Sequence, residues 1–217
     1  MPDSHDHIGT AVASPMSDEV LFESFLDGDD RSYTKLYERY DGKILTYQRT
    51  ILRDHPEAAD DMFQEAFLRL FRERKRHREE GANYKPIQSV RSWLFRVAHN
   101  LAISYLRQRK KTITFSETGE GDHVWDERLM APVEESFAEL YGESDPLQDE
   151  ELYGKLLACV EMLPMSLREI YVLKEVNNLP YEEVTRITGV TYEAARMRLS
   201  RARKTLRKAL SQYLRQE

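Results

Sequence analysis

The chain has 217 residues, with 32 Lys/Arg against 38 Asp/Glu, a formal net charge of −6 and 41% hydrophobic residues. That length suits one large domain or two small ones, and no apolar run approaches the ~20 residues that span a bilayer, which argues against membrane insertion. The single cysteine, Cys159, excludes an intramolecular disulfide and a cysteine-based zinc site.

Residues 1–16 (MPDSHDHIGTAVASPM) read as a disordered tail without the cationic start and apolar stretch of a signal peptide, so a cytoplasmic protein is expected. Helical periodicity follows. Ser17 is a plausible N-cap before Val20, Leu21, Phe22, Phe25 and Leu26, with Gly28 as a stop. A second helix is expected over 31–52, with Leu36, Tyr37, Tyr40, Ile44 and Tyr47 at spacings of three and four. Pro56 opens a third, followed by Glu57, Asp60 and Asp61, anions favoured near a helix N-terminus. Its apolar face is Met62, Phe63, Ala66, Phe67, Leu70 and Phe71, after which "RERKRHREEG" reads as a solvated basic end. The loop "GANYKPIQS" leads to a fourth helix over 89–110, striped by Val90, Trp93, Leu94, Val97, Leu101, Tyr105 and Leu106.

The segment 112–148 is too long for an ordinary loop and is expected to be an interdomain linker. Helices are expected again over 149–162, 166–176, 181–188 and 191–214. No run alternates convincingly, so the expected fold is all-α: two small helical domains joined by a flexible acidic linker, the C-terminal one a helix-turn-helix. The domain boundaries are 1–16 for the tail, 17–111, the linker 112–148, and 149–217.

Charge is distributed in blocks. Residues 68–111 hold 13 Lys/Arg against 3 Asp/Glu, a net of +10, and 112–151 hold 13 Asp/Glu against Arg128, a net of −12. Residues 181–217 hold 9 Lys/Arg against 4 Glu, a net of +5. The acidic total therefore hides two basic modules, which makes nucleic acid a candidate partner.

The last two helices have the layout of a helix-turn-helix, with Pro180 opening "YEEVTRIT", Gly189 at the turn and Thr191 as the next N-cap. Ala195, Leu199, Ala202 and Leu206 must face inward, which leaves Tyr192, Glu193, Arg196, Met197, Ser200, Arg201 and Lys204 to read base edges in a major groove. Arg198, Arg203, Arg207 and Lys208 flank them and suit phosphates. No Gly-rich phosphate loop, metal-ligand cluster or nucleophile–base pairing is present, so no catalytic residue, metal or cofactor is expected.

The stretch from "LPMSLREIYVLKEV" through "GVTYEAARMRLSRARKTLRKAL" resembles the fourth conserved region of bacterial sigma factors of the extracytoplasmic-function group. "DDMFQEAFLRLFR" with "SVRSWLFRVAHNLAISYLRQRKK" resembles that group's second region. The resemblance implies a dissociable subunit of bacterial RNA polymerase that recognises −35 and −10 promoter elements and directs initiation at a stress- or signal-responsive regulon. It implies that Asp61, Gln64, Glu65 and Leu68 meet a coiled coil on the largest core subunit, and that the other module meets the flap of the second largest. It also implies that 81–89 and the polar face of the next helix read the −10 element, through Asn83, Tyr84, Lys85, Gln88, Arg91, Arg96, Asn100 and Arg107. Trp93 lies on the apolar stripe and is expected in the core. Promoter DNA and an anti-sigma factor are the further expected partners. An alternative is a sigma-like regulator that sequesters an anti-sigma factor without binding DNA; the two basic faces argue against it. Thr191-Tyr192-Glu193-Ala194-Ala195 stands where the family often has Pro-x-Gly-Thr-Val, so the base-facing set is this chain's own.

Overall fold

The computed structural model describes residues 16–114 and 150–213, with side chains placed for 16–109 and 154–210. The tail and most of the expected linker lie outside the described residues. Eight α-helices and no strand occur among the described residues. They are α1 (Asp18–Leu26), α2 (Asp30–Ile51), α3 (Pro56–Glu80), α4 (Val90–Thr114), α5 (Glu150–Glu161), α6 (Met165–Tyr171), α7 (Tyr181–Thr188) and α8 (Tyr192–Tyr213).

Local chemistry sets most of these boundaries. Ser17 Oγ accepts from the Val20 amide and Asp29 Oδ1 from the Arg31 amide, each satisfying one of the orphan donors of a helix start. Pro56 stands in the first turn of α3, where its missing N–H costs nothing. Gly189 ends α7 in the left-handed region at φ 74° and its amide bonds Thr185 O at 2.8 Å. Thr191 Oγ1 then caps α8 by accepting from the Ala194 amide at 3.2 Å.

In the N-terminal bundle, Leu21, Phe22 and Phe25 of α1, Leu36, Ile44 and Tyr47 of α2, Leu70 of α3, and Leu94, Phe95 and Ala98 of α4 are all buried. Tyr37 packs on Phe67 with ring centroids 4.7 Å apart, and Phe25 on Tyr33 at 5.0 Å. Each buried ring or branched aliphatic side chain contributes about 1.5–3 kcal/mol over the exposed state. In the C-terminal bundle the inward stripe Ala195, Leu199, Ala202 and Leu206 of α8 meets Leu156, Val160, Ile170, Leu173, Val184 and Ile187. Cys159 is buried in the same core. The helix expected over 166–176 is α6 with a widened π-helical end, Val172–Val176, which Asn177 closes by bonding Val172 O through both its amide and its side chain.

The two bundles touch, and polar groups stitch the contact. The Arg168 guanidinium, buried in α6, donates to Leu163 O at 2.8 Å and to Thr50 O in the last turn of α2 at 3.0 Å. One cation thus satisfies carbonyls near the ends of two helices, where the helix dipole favours it. Arg53 bonds Glu161 O, Arg91 bonds Asn177 O, and the Ser92 hydroxyl donates to Glu183. Glu169 is buried beside Arg198, their charged ends 3.5 Å apart, and burial pushes its carboxyl up to about 7. His99, bonded to the Tyr47 hydroxyl at 3.0 Å, is held down to about 4 by burial.

Candidate nucleic-acid interface

Helix α8 is amphipathic in the register its sequence predicts. Tyr192, Glu193 and Lys204 are exposed, and Arg196, Met197, Ser200 and Arg201 are half-buried on the same outer side. Tyr192, 45% exposed, packs at a tilt against Tyr181 of α7 with ring centroids 5.1 Å apart, and the Arg196 guanidinium lies 6.0 Å from the Tyr192 ring. The outer face therefore offers donors and a ring at the N-terminal half of the helix, where a major groove would meet them.

The four flanking cations divide. Lys208 is exposed and Arg207 half-buried. Arg203, by contrast, turns inward and pairs with Glu175 at 2.7 Å, with only 15% and 8% of the two side chains exposed. Arg198 leans toward Glu169. Both arginines fasten α8 to the neighbouring helix, a use the spacing-based assignment to phosphate missed. The signal lay in the sequence: Glu169 and Glu175 flank the apolar run Ile170–Leu173.

The expected −10 set lies at the start of α4 and in the loop before it. Asn83, Lys85, Gln88, Arg96, Asn100 and Arg107 are exposed. Tyr84 is half-buried, its hydroxyl donating to Glu73 at 3.1 Å, with burial foremost and then Glu73 raising its pKa. Arg91 is half-buried and spends a donor on Asn177 O. A cavity of about 320 Å³ opens here, lined by the loop, by Trp93 and Arg96, and on the far side by Glu183 and Arg186 of α7. Trp93 is half-buried: it packs against the core and borders this cavity as well.

On α3, Asp61, Gln64 and Leu68 are exposed along one ridge, which Phe71, 47% exposed, continues. Glu65 lies beside them, clasped by Arg69 at 2.9 Å and Arg72 at 3.1 Å. The Arg69 bond leads in holding its carboxyl below the usual range. The basic end of α3 is not simply solvated, as its composition suggests. Glu73 is buried, Arg74 stacks 3.9 Å over Phe25 and bonds Asp30, and Arg76 bridges Glu73 and Glu80. Glu73 and His77 continue the 59-63-66-70 inward spacing, so two polar residues at core register were the overlooked sign.

No group of three or more His, Cys, Asp or Glu among the described residues could hold a metal ion, and no helix there is long and apolar enough to cross a membrane. Family models described as Sigma-70 region 2 and Sigma-70, region 4 match residues 36–112 and 153–206. The RNA polymerase sigma-H factor of Pseudomonas aeruginosa is 30% identical over 206 residues, covering 92% of this chain and 96% of that protein. The ECF RNA polymerase sigma-E factor of Escherichia coli K12 is 28% identical, covering 90% of this chain and 95% of that protein. The fold is similar to that of CnrH, solved with the cytosolic domain of CnrY (TM-score 0.52, 19% identity, 89% of this chain and 97% of that one). It is also similar to that of RpoE from Bartonella quintana, solved with the anti-sigma factor NepR (TM-score 0.55, 19% identity, 83% and 98%). Two helical bundles in the order of regions 2 and 4, together with these full-length matches, place the chain in the sigma-70 family: it is an extracytoplasmic-function sigma factor, a transcription initiation factor rather than an enzyme.

Proposed function

We propose that this sigma factor binds core RNA polymerase through the α3 ridge, reads a −35 element with the outer face of α8 and a −10 element with the loop 81–89 and α4. It works in the cytoplasm, and its two modules occupy distinct parts of the core enzyme, the second of them the flap. An anti-sigma factor is proposed as its regulatory partner, on the analogy of the complexes in which the two structural neighbours were solved.

One observation carries this reading. Exposed cations and polar ends are presented on two separate surfaces, α8 and the loop with α4, while Asp61, Gln64, Leu68 and Phe71 form a third, on α3. A duplex-only binder needs the first surface alone. A polymerase subunit that also holds an opened strand needs all three. In the arrangement seen here α7 borders the same cavity as the loop.

The test is reconstitution. Core polymerase mixed with the chain should initiate at discrete sites on genomic fragments, mapped by sequencing transcript 5′ ends, and those sites should share upstream motifs. Initiation no different from core alone would overturn the reading.

A further inference from the structure

The loop 81–89 leaves α3 at an abrupt bend. Gly81 sits at φ 51° and ψ −121°, where an L-residue is strained, and its amide bonds His77 O. A single 3₁₀ turn, Gly81–Asn83, follows, closed by the Tyr84 amide on Gly81 O at 3.1 Å. Side chains hold the next step. Tyr84 reaches back to the end of α3, where its hydroxyl donates to Glu73 Oε2 at 3.1 Å and its ring meets His77 edge-on at 5.0 Å. The Arg76 guanidinium lies 5.7 Å from the same ring and donates to both Glu73 oxygens, at 3.1 and 3.3 Å. Arg76 is itself braced by Glu80 at 2.8 Å.

Glu73 is 7% exposed, unlike the neighbouring Lys75–Glu79 pair, whose side chains are 77% and 61% exposed. A buried carboxylate is costly unless its oxygens are paired. Here one partner belongs to its own helix and the other to the loop, so the carboxylate is fully satisfied only when Tyr84 is seated. Glu73 and Arg76 also line the cavity shared with Lys85, Gln88 and Trp93.

We propose that Glu73 is a positioning residue for promoter opening: its carboxylate, held by Arg76, bolts Tyr84 to α3 and so sets where Asn83, Lys85 and Gln88 present their polar ends to an unpaired base. The proposal rests on the loop being the −10 reader. It gives Tyr84 the part of an anchor, with its hydroxyl committed to protein.

The experiment uses polymerase holoenzyme reconstituted with full-length Glu73→Ala, Glu73→Gln, Tyr84→Phe, Asn83→Ala or Gln88→Ala. The probe is a duplex promoter library randomised through the −10 window, scored for open complexes, alongside helix content and affinity for core. Glu73→Ala should lower open-complex yield by about tenfold or more, the scale of one hydrogen bond to a charged group, and flatten base preference where Asn83→Ala and Gln88→Ala flatten it. Tyr84→Phe should act in the same direction. Glu73→Gln, whose amide oxygen still accepts, should restore part of the preference, and core affinity should not move. Unchanged −10 preference in folded Glu73→Ala, with Asn83→Ala and Gln88→Ala still flattening it, overturns the positioning role alone. If those two variants also change nothing, the loop assignment fails and this proposal with it. Should Glu73→Ala not fold, Tyr84→Phe decides: unchanged preference there overturns the proposal.

Discussion

The basic end of α3 and the basic helix α8 look alike in sequence and are held differently. In α3 the cations meet carboxylates of their own helix: Arg69 and Arg72 meet Glu65, Lys75 meets Glu79, and Arg76 meets Glu73 and Glu80. Arg74 crosses to Asp30. In α8 the seven Lys/Arg of 196–208 share their helix with one acidic residue, Glu193. The carboxylates that Arg198 and Arg203 reach come from α6 and its π-helical end, on the inner flank. A net charge counted over a block therefore misleads for α3, whose cations serve its own architecture. For α8 the block charge is more informative, because Glu193 is the one carboxylate within Tyr192–Tyr213 to set against those seven cations.

The largest effect is expected at the inward-facing pair. Arg203→Ala should leave Glu175 buried and uncompensated, lowering stability by about 2–4 kcal/mol in denaturant unfolding, whereas Arg72→Ala on the exposed face of α3 should cost under ~1 kcal/mol. Equal effects would show that the two sets of pairs are not held differently.

A second test is the pH dependence of the α6–α8 junction. Glu169 titrates near 7 in the native state against an ordinary 4.5, so the folded chain binds that proton more tightly than the unfolded chain. Its contribution to stability is present below about 4.5 and lost as pH rises through about 7. Glu169→Gln should remove this loss, so the variant should gain on the wild type between pH 5 and 8, by on the order of 2 kcal/mol. His99, held near 4, works in the opposite sense: its contribution is lost as the solution becomes acidic, and it is common to both proteins. A gap between variant and wild type that stays constant with pH would refute the assignment.

The smallest effect is expected at Lys208. With Lys208→Ala, binding of the assembled polymerase should weaken alike for all −35 sequences, and the salt slope should fall by about one. A change in base preference would place Lys208 among the readers instead.

Much of this was legible in sequence because apolar periodicity and caps are local. The inward stripe of α8, the Thr191 cap and the Gly189 turn all follow from residues within a few positions of one another. What escaped is polar and long-range. The Arg203–Glu175 pair, the Arg168 bridge to Thr50 and the Tyr84–Glu73 bolt join residues 28, 118 and 11 positions apart. Spacing along one helix cannot report a partner on another. Glu73 was still within reach, because it falls at an inward register position where a charge demands a partner.

The most direct measurement is binding of reconstituted polymerase to a promoter library varied through the −35 element, at two salt concentrations, for wild type, Arg196→Ala and Arg72→Ala. The account predicts that Arg196→Ala costs about 1–3 kcal/mol at the preferred site and flattens the preference at one base position, while Arg72→Ala leaves the preference intact. A uniform loss over all sequences for Arg196→Ala, or a changed preference for Arg72→Ala, would contradict it.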